Sequence, residues 1–204
     1  MLGENQFRQA KFAEAEALDR EVMKSRSARL PPENEEVVGA AAALARCLSD
    51  WAWAERPAEI QNSKPENPAR AREAEKLLRD ALAIRAKSLH PADRRLAETR
   101  SRLGGALLTI AVSDPSLDSP GRAAMFTEAE KLLIDGNDAL QKGSGASVRV
   151  RRDALERLVR LYEAWDAAAP NTGKATRTTE WKQAWLIFEQ TSGEKNKPLP
   201  QTPK

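Results

Sequence analysis

Apolar residues return every three or four positions along most of this chain, which is the period of helices that bury one face. The first such stretch runs from about residue 5 to 29, with Phe12, Ala15, Leu18, Val22 and Phe7 on its apolar stripe. Pro31-Pro32 ends it. Glu33, Glu35 and Glu36 then fill the start of a second helix, where carboxylates favour the positive end of the macrodipole. That helix carries Val37, Leu44, Leu48 and Trp51, with small residues from Ala40 to Ala43, and ends near Arg56-Pro57. The third helix is expected over 69–88, the fourth over 92–112, the fifth over 122–142, the sixth over 147–168 and the last over 178–190. Proline breaks separate them, because the residue before a proline is steered away from helix. Gly136 sits mid-helix, where glycine costs about 1 kcal/mol relative to alanine, so a kink is expected there.

The same unit recurs. Ala15-Glu16-Ala17-Leu18, Ala74-Glu75-Lys76-Leu77 and Ala129-Glu130-Lys131-Leu132 are similar, at steps of 59 and then 55 residues. Leu44, Leu103 and Leu158 repeat those two steps. Two unrelated segments that drift together identify one copied helix pair, the signature of a stacked array. The expected organisation is therefore all-α, with helical repeats over 1–168 (1–29, 33–88, 92–142 and 146–168, with linkers at 57–68 and 113–121). A capping helix follows at 169–191, and a disordered tail at 192–204.

Composition adds little to this. The 204 residues are 41% hydrophobic, 31% charged and 5% aromatic, a helix-forming balance. A net charge of +3 is too small to argue for nucleic acid. The run Arg149-Val150-Arg151-Arg152 is interleaved downstream with Asp153 and Glu156 and reads as a solvated face. No segment resembles a signal peptide or a membrane span, so the expected location is cytoplasmic. Cys47, the only cysteine, lies on an apolar face and reads as a small buried hydrophobe.

Arg72-Glu73-Ala74-Glu75-Lys76-Leu77-Leu78-Arg79-Asp80-Ala81-Leu82-Ala83-Ile84-Arg85 resembles the second helix of a tetratricopeptide repeat (TPR), of the kinesin-light-chain type common in bacterial multi-repeat proteins. Leu89-His90-Pro91-Ala92-Asp93 resembles that type's inter-repeat turn. Leu158 to Trp165, with Thr179-Glu180-Trp181, is similar to repeat regions that follow some bacterial serine/threonine kinases. The resemblance spans residues 2–184. It implies a TPR-like α-solenoid of about three units plus a C-terminal capping helix, acting as a protein–protein interaction scaffold in a larger bacterial signalling or multi-repeat protein. It departs from the family in its longer step. It departs also where groove asparagines are common, positions that here read Ala42-Ala43, Ser101-Arg102 and Glu156-Arg157. Met1-Leu2-Gly3 is similar to the tail of a preceding first helix, which leaves the first long helix open for self-association.

The first helix of each unit is expected to line a groove for a partner peptide. Arg102 and Arg157 hold equivalent positions there and form a candidate basic ladder for carboxylates, with Arg46, Arg95 and Arg160 as weaker companions. The bland alternative pairs them with Glu98, Asp153 and Glu156. Catalysis is not expected. His90, the only histidine, sits in a turn, a usual zinc ligand set cannot be assembled, and Gly143-Ser144-Gly145 lacks a phosphate loop's lysine. No cofactor or metal is implied. The other readings are a nucleic-acid-associated helical adaptor and a self-associating structural domain. Trp53, two residues from Trp51 and off its stripe, is a candidate contact residue.

Overall fold

The computed structural model describes the backbone of residues 2–56, 66–143 and 145–195, and the side chains of 10–56, 66–143 and 145–192. Among these residues it is entirely helical: α1 (Leu2–Ser27), α2 (Glu35–Ala54), α3 (Glu66–Ser88), α4 (Arg94–Ser113), α5 (Ser119–Lys142), α6 (Val148–Ala168) and α7 (Lys174–Lys195). Short polar side chains start several of them by accepting a free amide of the first turn. Asn34 accepts from the Glu36 amide at 2.9 Å, Asp93 from Arg95 at 2.8 Å and Asp118 from Gly121 at 2.8 Å. Asn171 (φ 65°) and Gly173 (φ 79°) turn the chain between α6 and α7 in the left-handed region that both residues tolerate.

Each helix packs on the next in chain order, and α4 also packs on both α2 and α6. The chain is thus a solenoid of helix hairpins with two layers: α2, α4 and α6 inside, α1, α3, α5 and α7 outside. The copied positions land in one environment. Leu44, Leu103 and Leu158 are at most 1% exposed and share one core. On the outer layer the copies also repeat an ion pair. Arg20 forks onto Glu73 at 2.7 and 2.8 Å, and Arg79 forks onto Glu128 at 2.7 and 2.9 Å. The two arginines stand 59 positions apart and the two glutamates 55, the same two repeat steps.

Several expectations need correcting. Leu18 and Val22 are 63% and 42% exposed. The equivalents of Val22 are Ala81, which is buried, and Gly136, which packs on α4; those of Leu18, Leu77 and Leu132, are partly buried against the core. No helix covers α1 on that side among the described residues. The inward face of α1 is instead marked by Phe12, stacked on Trp51 with ring centroids 5.9 Å apart, and by Met23. The Phe7 side chain lies outside the described residues. Leu2 and Gly3 belong to α1 itself rather than to the tail of an earlier helix. Glu66–Pro68 begin α3 instead of closing a linker, because buried Asn67 donates to the Glu55 carbonyl at 2.8 Å. Ser192–Lys195 extend α7, and residues 196–204 lie outside the described set. At Gly136 the helix continues unbroken: a Cβ there would stand 2.8 Å from the Ser101 nitrogen and 2.9 Å from the Ala97 carbonyl oxygen. Glycine lets α5 approach α4.

Candidate functional site

A cavity of about 910 Å³ lies along the inner layer. Six arginines line it (Arg46, Arg56, Arg102, Arg149, Arg157 and Arg160) against four carboxylates (Asp50, Glu98, Asp153 and Glu156). Four of the five arginines singled out from the sequence are therefore together. Arg95 is elsewhere. It holds Asp93 at 2.8 Å and approaches Glu35 at 3.7 Å, because the α4 N-terminus turns it toward α2.

The arginines differ in what already neutralises them. Arg102 pairs with Glu98 and Arg160 with Glu156, each across one helical turn. Arg149 stands 3.9 Å from Asp153. Arg157 has no carboxylate within ion-pair distance among the described residues, and its guanidinium donates to the Ser101 hydroxyl at 3.2 Å. Arg46 makes neither an ion pair nor a side-chain hydrogen bond within the described set. Burial lowers the affinity of Arg157 for its proton, and more distant Asp50, Asp153 and Glu98 oppose that shift. Arg102 is lowered for the same first reason, with Glu98 opposing and Arg157 adding to it.

Small residues create the room for these long side chains. Arg157 lies across α4 at Gly105, where an added Cβ would stand 3.0 Å from its Cδ. Arg102 lies toward α2, its Nη1 3.4 Å from the Ala42 carbonyl oxygen. The guanidinium heads stay charged while their stems run along the inner helices.

Trp53 sits where this cavity meets a second one of about 950 Å³. The second cavity has walls of Ala111, Val112, Phe126, Ala164 and Trp165. Arg56 lies over the Trp53 ring at 3.8 Å and Arg160 at 5.1 Å, both within cation–π range. Desolvation, then the charge of Arg160, lowers Arg56. The sequence marks Trp53 as off-stripe but does not show which cations would meet it, because Arg160 comes from another helix.

The remaining candidates are occupied structurally. His90 Nδ1 accepts from the Ala92 amide at 3.2 Å in its turn. Cys47 is buried, and burial raises its thiol to about 11. Arg151 donates to the Gly143 carbonyl at 2.9 Å, and Arg152 reaches Asp153 and Glu189 at 3.8 and 4.0 Å, so the basic run is engaged within the fold. Among the described residues, no helix is long and apolar enough to cross a membrane, and no cluster of three or more His, Cys, Asp or Glu could hold a metal ion.

No family model matches this chain, and no curated protein matches it either. Solved structures do. The chain is similar to a crystal structure of nearly identical TPR-like repeats from Podosopora anserina, described as kinesin light chain-like, and to a point variant of it. For the variant the identity is 16%, covering 95% of this chain and 93% of the other, with a TM-score of 0.42. For its counterpart the identity is 18%, covering 94% and 93%, with a TM-score of 0.38.

Proposed function

We propose that this protein is an interaction scaffold that holds an acidic segment of a partner protein along α2, α4 and α6, without bond chemistry. The observation that carries this reading is Arg157. It is a partly buried guanidinium at a cavity wall, beside Arg102 and Arg46, with no carboxylate in ion-pair contact among the described residues. A guest carboxylate would supply the missing partner, and the guanidinium fork suits it. Interleaved carboxylates on the same wall favour a defined segment over nucleic acid, whose phosphates would meet Asp50 and Asp153. The resemblance of the repeat segments supports a place within a larger bacterial signalling or multi-repeat protein in the cytoplasm. The test is fluorescence anisotropy of labelled peptides against the full chain. Glutamate-containing peptides should bind and matched glutamine peptides should not. Equal binding of the two, or undiminished binding of the glutamate peptides when Arg102 and Arg157 are both replaced by alanine, would sink the reading.

A second reading, self-association, has its own support. Of the five exposed large hydrophobics described, Leu18 and Val22 lie on α1 and Leu186 and Ile187 on α7, the two end helices of the described stack. Head-to-tail contact between these ends would make mass grow with concentration without stopping at a dimer. A constant monomer mass by light scattering across a wide concentration range would remove it.

A further inference from the structure

Arg102 and Arg157 occupy the same register position in successive copies, 55 residues apart. Their poses also correspond, since each stem leans back over the preceding inner helix, toward Ala42 for Arg102 and across Gly105 to Ser101 for Arg157. Equivalent side chains in equivalent poses set their guanidinium groups one helix-to-helix step apart, about 8–10 Å for packed helices. The guest that serves both must present carboxylates on one face at that interval. A β-strand cannot, because residues on one face recur at about 6.6 and 13 Å. An α-helix misses it as well, at about 6 Å for positions i and i+4 and about 10.5 Å for i and i+7. A polyproline II strand has three residues per turn and rises about 3.1 Å per residue. Positions i and i+3 then share a face about 9.3 Å apart, inside that interval.

We infer that the groove reads a polyproline II segment bearing carboxylates at every third position, one for Arg102 and the next for Arg157. This rests on the acidic-segment reading above and adds the guest's conformation and spacing to it. Arg102 exchanges its Glu98 contact for the guest, and Arg157 gains an ion pair that no described residue supplies.

The experiment uses three labelled peptides of equal net charge against the full chain at one low salt concentration. The first has glutamate at every third position with prolines between. The second has the same composition with its glutamates in one block. The third is helix-forming, with glutamates seven apart. The first should bind about ten-fold more tightly than the second, the discrimination expected of one further charge-assisted pair. Arg157→Met keeps the stem against Gly105 and removes the charge. With circular dichroism unchanged, it should abolish that ten-fold preference, and Arg102→Met should do the same. Equal affinity for the first two peptides overturns the spacing while leaving the acidic groove standing. Tighter binding of the helical peptide overturns the conformation. Failure of all three to bind overturns both this inference and the reading beneath it.

Discussion

Single side chains in this fold often act against their usual reputations. Glycine at position 136 is expected to weaken α5, and on helix propensity alone Gly136→Ala should stabilise by about 1 kcal/mol. The structure reverses the sign. The new Cβ would meet backbone atoms of α4 at 2.8 and 2.9 Å, and backbone cannot step aside as a flexible side chain can. Overpacking of this kind costs about 1–3 kcal/mol, so Gly136→Ala should lower the urea midpoint. A raised midpoint would show that α4 and α5 separate easily. Arg85 is a second such residue. It is 6% exposed, donates to Glu35 at 2.5 Å and to the Thr99 hydroxyl at 2.7 Å, and so ties α3 to α2 and α4. Arg85→Ala removes the bond to Thr99 and the pairing with partly exposed Glu35, which keeps Arg95 at 3.7 Å, and should destabilise by about 1.5–2 kcal/mol in chemical denaturation. A change under 1 kcal/mol would mean that the pair is replaceable by water. Neither role is legible in the sequence, since both depend on which atoms of a neighbouring helix lie within 3 Å.

At the scale of the helix, the copied register made much of the structure readable. Steps of 59 and 55 residues align Leu44, Leu103 and Leu158, and all three are buried in one core. The same arithmetic maps Arg20 onto Arg79 and Glu73 onto Glu128, so the two ion pairs are copies of one contact, which local spacing cannot show because each partner sits on a different hairpin. What misled was α1. Its stripe has the period of a buried face, yet periodicity identifies an apolar face without saying whether a neighbour covers it, and Leu18 and Val22 are exposed. Helix ends were also legible only in part, since Asn67 and Ser192 look like loop residues until their backbone is seen in a helix. Acid sensitivity belongs to these elements. The Arg95 side chain holds Asp93, the α4 N-cap, down to about 2. Arg20 and Arg79 lower Glu73 and Glu128, with burial opposing in each case. A carboxylate whose folded pKa is depressed stabilises the fold above its unfolded pKa of about 4 and loses that contribution as pH falls through the folded value. Thermal midpoints should therefore drop between about pH 4 and pH 2. In the Asp93→Asn variant, which keeps a capping oxygen without the charge, the drop should shrink. An undiminished drop would place the acid response on other carboxylates. The surface pairs are half exposed, so double-mutant cycles on Arg20–Glu73 should give under about 1 kcal/mol.

Across the whole molecule, stability should follow position in the stack. In a solenoid each helix pair leans only on its neighbours, so the interior copy has two supports and the ends have fewer. Helix α4 packs on α2, α3, α5 and α6, and from Leu103 to Ala111 only Gly105 is not fully buried. Helix α7 leans on α6 and leaves Leu186 and Ile187 about half exposed. Hydrogen exchange samples local opening where few contacts resist it and near-global unfolding where many do. Amides of Leu103 to Ala111 should therefore exchange slowest, and those of α7 fastest among the helices packed on a single neighbour. The arginine-lined cavity spans α2, α4 and α6, so a bound acidic segment would join three copies that are otherwise held by nearest-neighbour contacts. Slowed exchange on α6 and α2 together, on adding the glutamate peptide, is the expected signature of that bridge. Protection confined to one helix would mean that the guest touches one copy and that the two arginines do not act as a pair.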